Sequence, residues 1–111
     1  MASKQDTISV FTQEDGVVQI GGIDALVRLS LDQVRTDERR GLKTGMFISG
    51  YRGSPVGMLD AAFIKNQKAL VAKNIHFVDG LNEDLAVTAV WGTQMLHTVG
   101  QQKFDGVTGM W

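Results

Sequence analysis

Apolar and polar residues change their spacing several times along this chain, and each change marks an element. Ile8-Ser9-Val10-Phe11 and Val17-Val18-Gln19-Ile20 are short β-prone runs on either side of Gln13-Glu14-Asp15-Gly16. Asp-Gly is a turn signal, so the two runs predict a short N-terminal β-hairpin. Gly21-Gly22 breaks that pattern. From Ile23 to Arg40 the spacing becomes helical, with Ile23, Leu26, Val27, Leu31 and Val34 on one face. Arg28, Asp32, Arg35 and Arg39 fall largely off that face. Arg39 and Arg40 suit the negative end of the helix dipole, and Gly41 suits the stop. The charge run Arg35 to Arg40 therefore reads as a solvated helix end.

Met46-Phe47-Ile48, within Thr44 to Ser49, is a short apolar run bounded by glycines and predicts a buried strand. Leu59 to Ala72 predicts a second helix, Ile75 to Val78 a second strand, and Asn82 to about Val99 a third helix. That third helix is apolar almost all round, which predicts burial by more than one partner. Trp91 and Met95 lie on it at helical spacing, as core residues do. Gly106 to Met110 predicts a third strand. After the hairpin, helices and strands alternate, which implies an α/β fold with an open parallel sheet and flanking helices. Residues 1–21 form a tail and hairpin in this reading, and residues 22–111 form one domain.

Composition narrows the function classes. The chain has 111 residues and a net charge of -1, which gives no electrostatic footprint for nucleic acid or an anionic membrane. It has no cysteine, so it supplies no disulfide, thiolate zinc site or iron–sulfur ligand. That fits a cytoplasmic protein. Met1 to Asp6 lacks the apolar core of a signal peptide, and no apolar run is long enough to span a bilayer. His76 and His97 are too few and too far apart to suggest a metal site, and each reads as a packed or surface histidine.

Ligands of open parallel sheets bind outside the carboxyl ends of the strands. The turn Gly50 to Pro55 leaves the first strand at that edge, and Asp79 to Glu83 leaves the second. The chain beyond Met110 arrives there too. Topology therefore brings Tyr51, Arg52, Ser54 and Glu83 to one rim. Gly50 and Gly53 permit positive φ and a close ligand approach, and Arg52 can pair with a carboxylate or phosphate through its planar fork. The turn lacks both the P-loop and the dinucleotide-binding glycine patterns. Taken by itself it also reads as a tight strand-to-helix connection with a solvent-facing arginine. Asn82, Glu83 and Asp84 likewise read as a helix cap and a favourable first turn. A functional Glu83 requires burial in a cleft, where its proton affinity rises.

Several of these segments, taken jointly and in order over about residues 20–111, resemble the start of the fused indolepyruvate ferredoxin oxidoreductases. They are Ile23-Asp24-Ala25-Leu26-Val27-Arg28-Leu29, Phe47-Ile48-Ser49-Gly50-Tyr51-Arg52-Gly53-Ser54-Pro55, Asn82-Glu83-Asp84-Leu85-Ala86 with Thr88-Ala89-Val90-Trp91-Gly92-Thr93-Gln94, and Phe104-Asp105-Gly106-Val107 with Gly109-Met110-Trp111. The resemblance implies the beginning of a pyrimidine-type thiamine-diphosphate-binding domain. It implies a homo-oligomeric enzyme that oxidatively decarboxylates aryl 2-oxoacids, passes the acyl group to coenzyme A and reduces ferredoxin through iron–sulfur clusters. Glu83 takes the aminopyrimidine-contacting, catalytic role, with Gly53 and Ser54 beside the cofactor. Tyr51 and Arg52 face the substrate, with Arg52 for its carboxylate. The magnesium that accompanies the diphosphate, the cysteine clusters and the second half of the cofactor site lie in parts of such enzymes that this chain does not contain. The resemblance therefore implies an N-terminal part that is inactive alone, with apolar surface left uncovered. The competing expectation is a free-standing small α/β ligand-binding or interaction module without catalysis.

Overall fold

A single strand, β1 (Thr44–Gly50), organises the computed structural model, which describes residues 9–111. β1 is buried through Met46, Ile48, Gly45 and Ser49, residues of both faces, because both of its faces are covered. It lies between β2 (Ile75–Asp79) and β3 (Gly106–Met110) in a three-stranded sheet of order β2-β1-β3. Both pairings are parallel, with Ile48 opposite Phe77 on one side and opposite Met110 on the other. The predicted open parallel sheet with flanking helices is thus observed, and its strands fall within a residue of their expected bounds.

Alternation along the strands sends Met46, Ile48, Ile75 and Phe77 to one face. There they meet Val27, Leu31 and Val34 of α1 (Gly22–Arg39), Phe63 of α2 (Gly57–Lys65) and Leu70 of α3 (Gln67–Val71) in one core. The rings of Phe63 and Phe77 stack with centroids 5.5 Å apart. The opposite face carries α4 (Glu83–Thr93), followed by the short α5 (Leu96–Val99). At the far edge Lys43 and Asp105 exchange hydrogen bonds. The Lys43 amide donates to Asp105 Oδ2 at 2.7 Å, and the Asp105 amide donates to the Lys43 carbonyl at 2.8 Å. This exchange sets the register of β3 on β1.

Two predicted helices are each broken in two, and side-chain amides and hydroxyls account for it. Asn66 Nδ2 donates to the Ala62 carbonyl at 2.8 Å and shares it with the Asn66 amide at 3.2 Å, and α2 ends there. Thr93 Oγ1 donates to the Val90 carbonyl at 2.7 Å, and Gln94 Nε2 reaches across to the Val107 carbonyl of β3 at 3.2 Å. Between these bonds α4 stops.

Three expectations are corrected. The hairpin does not form among the described residues: Val17 to Ile20 is not a strand, and Ile8 lies outside the described residues. The amides of Thr12 and Gln13 turn back onto the Ser9 carbonyl at 2.9 and 3.1 Å. Arg28 then takes the carbonyls of Val10 and, at 2.6 Å, Gln13, while Arg35 takes that of Phe11. Acceptors that a hairpin would use are bound by α1 instead. For the same reason the charge run is not simply a solvated end. Arg35 is buried against this segment, with Asp32 Oδ1 2.9 Å from it. Asp37 is buried too, and its carboxylate accepts from Gln33 at 3.1 Å and from Thr44 at 2.8 Å. Thr36 and the last part of the run, Glu38 to Arg40, are exposed. Finally, α4 buries just Ala86 and Val90, leaving Leu85 and Trp91 exposed. The sheet covers one side of it, and no described element packs on the other. No helix among the described residues is long and apolar enough to cross a membrane.

Phe63 joins α2 to the sheet and is 1% exposed. Replacing it with alanine removes the ring stack and leaves a cavity, so Phe63→Ala should lower unfolding free energy by about 3–5 kcal/mol. Urea denaturation followed by tryptophan fluorescence measures this; a loss below about 1 kcal/mol contradicts the assigned packing.

Candidate functional site

The turns that leave β1 and β2 are joined directly, because the Gly80 amide donates to the Gly50 carbonyl at 2.8 Å. Ser49 Oγ donates to the Val78 carbonyl at 2.7 Å just beneath. A Cβ on residue 80 would lie 2.8 Å from the Gly50 carbonyl oxygen and 2.7 Å from Ala86 Cβ, so only glycine permits this approach. Beside this junction the rim opens into a cavity of about 300 Å³. Ile48, Phe63, Phe77 and Met110 supply apolar walls, and Tyr51, Ser54, Glu83 and Trp111 also line it.

Topology thus brings Tyr51, Ser54 and Glu83 together as expected. Arg52 is not among the cavity's lining residues. Its guanidinium forms an ion pair with Asp79, on the turn from β2, and both side chains are substantially exposed. Ser54 holds the turn: its amide donates to the Tyr51 carbonyl at 3.0 Å, and its Oγ accepts from the Val56 amide at 3.3 Å. Gly50 and Gly53 do not use positive φ, in contrast to the expectation. Their missing side chains make room for neighbours instead. A Cβ on residue 53 would strike the Tyr51 ring at 2.5 Å, and one on residue 50 would lie 2.9 Å from Asp60 Oδ1.

Glu83 opens α4 at the cavity. Asn82 caps the helix, with Oδ1 accepting from the Leu85 amide at 2.8 Å. Trp111 Nε1 donates to the Glu83 carbonyl at 3.2 Å, tying the chain's last described residue to this first turn. The Glu83 residue is exposed, so the chain's own packing does not supply the burial that a functional carboxyl requires. His76 and His97 are exposed and away from this cavity. Among the described residues no group of three or more histidine, aspartate or glutamate side chains is arranged to hold a metal ion.

The buried carboxyl at this site is one the sequence reading passed over. Asp60, on α2, is 6% exposed, lines the cavity, and has an Oδ2 with no hydrogen-bond partner among the described residues. Burial raises its proton affinity above the ordinary carboxylate value of 3.8; nearby Asp79 raises it further, and Arg52 opposes the rise. A signal was present in the sequence. Asp60 is the one charged residue in the run Val56-Gly57-Met58-Leu59-Asp60-Ala61-Ala62-Phe63-Ile64, and it lies three residues before Phe63 on the same helical face.

The folded protein holds the Asp60 proton more tightly than the unfolded chain does. Its ionisation therefore costs stability above the folded value and costs nothing well below 3.8. Asp60→Asn should raise the urea midpoint at pH 7, and the gain should shrink as pH falls towards and below that ordinary value. Equal midpoints at pH 7, or a gain that grows on acidification, contradict the assigned environment.

Compared with known proteins, the chain matches no family model, no curated protein and no solved structure.

Proposed function

We propose that the rim cavity is one wall of a thiamine-diphosphate site in a 2-oxoacid:ferredoxin oxidoreductase of the indolepyruvate type, with Glu83 as the carboxylate that contacts the aminopyrimidine ring. The observation that carries the reading is the position of Glu83: an exposed carboxylate on the first turn of α4, lining an apolar cavity at the carboxyl edge of a parallel sheet. The segment resemblance supports it independently, since the Gly-rich turn and the Asn-Glu-Asp turn that carry the resemblance are the two that the Gly80–Gly50 hydrogen bond joins.

The residues fit one half of such a site. A flat heteroaromatic ring matches walls of Ile48, Phe77 and Met110, and Glu83 is free to receive a ring hydrogen bond. The exposure of Glu83 is consistent with a carboxylate whose burial is completed by a partner domain. When bound, the cofactor supplies the carbanion chemistry that decarboxylates a 2-oxoacid. Glu83 would hold the aminopyrimidine ring by a hydrogen bond to its carboxylate oxygens. Trp111 steadies the turn that carries Glu83. Tyr51 and Arg52 are assigned to the substrate, and Arg52 reaches a substrate carboxylate once Asp79 gives way or through guanidinium N–H groups that Asp79 leaves free. Ser54 and Gly53 act through the shape of the turn beside the cofactor. Magnesium, the iron–sulfur clusters, coenzyme A and ferredoxin are assigned to the rest of the enzyme, so this chain by itself is inactive in this reading.

In the enzyme that carries this chain, Glu83→Gln should lower thiamine-diphosphate-dependent reduction of ferredoxin by an aryl 2-oxoacid by about 100-fold or more, the range for a lost proton-transfer group. Far-ultraviolet circular dichroism should remain unchanged. Turnover within a few-fold of the parent, or turnover indifferent to thiamine diphosphate, rules the proposal out.

A further inference from the structure

Asp60 has no role in the reading above, yet it is the most unusual side chain at the rim. Buried carboxylates are found with hydrogen-bond partners, because an unpartnered one loses its hydration and receives nothing in exchange. Asp60 is 94% buried, its Oδ2 is unpartnered among the described residues, and it lines a cavity whose other walls are mainly apolar. The glycine at position 50 is what leaves room for its Oδ1. A carboxylate turns readily about its last torsion, so either oxygen can be presented to the cavity. The charges nearest the cavity favour cations: Asp60 and Glu83 line it, and the one neighbouring guanidinium, that of Arg52, is already paired with Asp79.

We propose that Asp60 is the polar anchor of the rim cavity, and that the cavity binds a flat apolar ligand carrying a cationic N–H donor group, such as an aryl amidine or a protonated amino-heteroaromatic ring. The apolar body lies against Ile48, Phe63 and Phe77, and the head group donates to the Asp60 carboxylate. Binding thereby gives the buried Asp60 carboxylate a hydrogen-bond partner, and the charge-assisted bond forms away from bulk water, where it is strongest. The ligand's positive charge also favours the ionised form of Asp60 against the burial and the Asp79 carboxylate that oppose it. The assignment concerns Asp60 and stands apart from the reading above: such a ligand shares the walls Ile48 and Phe77 with the aminopyrimidine ring and competes with it for the cavity.

The test uses the 111-residue chain and benzamidine as the probe, with benzoate and benzyl alcohol as matched bodies of opposite and zero charge, followed by two-dimensional NMR at pH 7. Benzamidine should give saturable shifts at Ile48, Phe63 and Phe77, and benzoate and benzyl alcohol should bind at least tenfold more weakly. Asp60→Asn, checked for its fold by the dispersion of the same spectra, should weaken benzamidine at least tenfold and by more than Glu83→Gln does, whereas Glu38→Gln, outside the cavity, should change it less than threefold. Benzoate binding as tightly as benzamidine overturns the proposal without recourse to any variant. So does unaltered benzamidine affinity in Asp60→Asn, or the absence of saturable shifts. A loss seen with Glu83→Gln and not with Asp60→Asn moves the anchor to Glu83 and likewise overturns it.

Discussion

The contact between the Gly50 carbonyl and the Gly80 amide is the constraint on which the rim depends. One hydrogen bond of 2.8 Å links the turn from β1 to the turn from β2. That link brings the Tyr51–Ser54 turn and the first turn of α4 to the same edge, and it lets Ala86 pack against residue 80. A net stabilisation of about 1 kcal/mol is typical of such a bond. Its larger effect is geometric, because a side chain at position 80 would push the two turns apart and open the cavity between them. The glycines here are therefore determinants of the site even though no functional group belongs to them.

Around that contact, electrostatics and packing divide the molecule into two unlike faces. The α1–α2 face holds a stacked aromatic pair and a continuous aliphatic core, closed at its margin by Phe11. Two arginines of α1 clamp the segment that carries Phe11 by its backbone carbonyls while each also pairs with Asp32. The α4 face is the reverse. It is helical and apolar, yet Leu85, Trp91 and Val99 remain exposed. Such an apolar surface is what an assembly interface uses, which agrees with the reading of this chain as one wall of a larger site.

Much of the fold was legible because period and punctuation agreed: the glycine-bounded run Met46-Phe47-Ile48 and the alternation of helix and strand gave the parallel sheet and its carboxyl rim. What escaped the sequence depended on partners distant along the chain. Arg35 looked solvated because its acceptor, the Phe11 carbonyl, lies 24 residues away. The hairpin looked sound because local turn chemistry favoured it, and tertiary bonds to α1 overrode it. The helix breaks at Asn66 and Gln94 coincide with side-chain hydrogen bonds that periodicity does not register. At the site, Tyr51, Ser54 and Glu83 could be placed on one rim from topology alone. Arg52 could not be paired with Asp79 by the same route, and although Asp60 stood out as the lone charge in an apolar run, its lack of a hydrogen-bond partner showed only in the fold.

The sheet order has a consequence for how the molecule is assembled. No two neighbouring strands are joined by a short turn: β1 reaches β2 only after α2 and α3, and β3 only after α4 and α5 as well. The bond from the Lys43 amide to Asp105 spans 62 positions of chain, against 29 for the bond from Ser49 to Val78. Loop-closure entropy rises with that separation, and parallel pairings of this kind slow folding. The β1–β2 pairing, with its aromatic stack, thus closes the shorter loop, and the β1–β3 pairing carries the larger entropic cost. Since β3 brings Met110 and then Trp111 to the rim, that wall of the cavity depends on the pairing that is costliest to close.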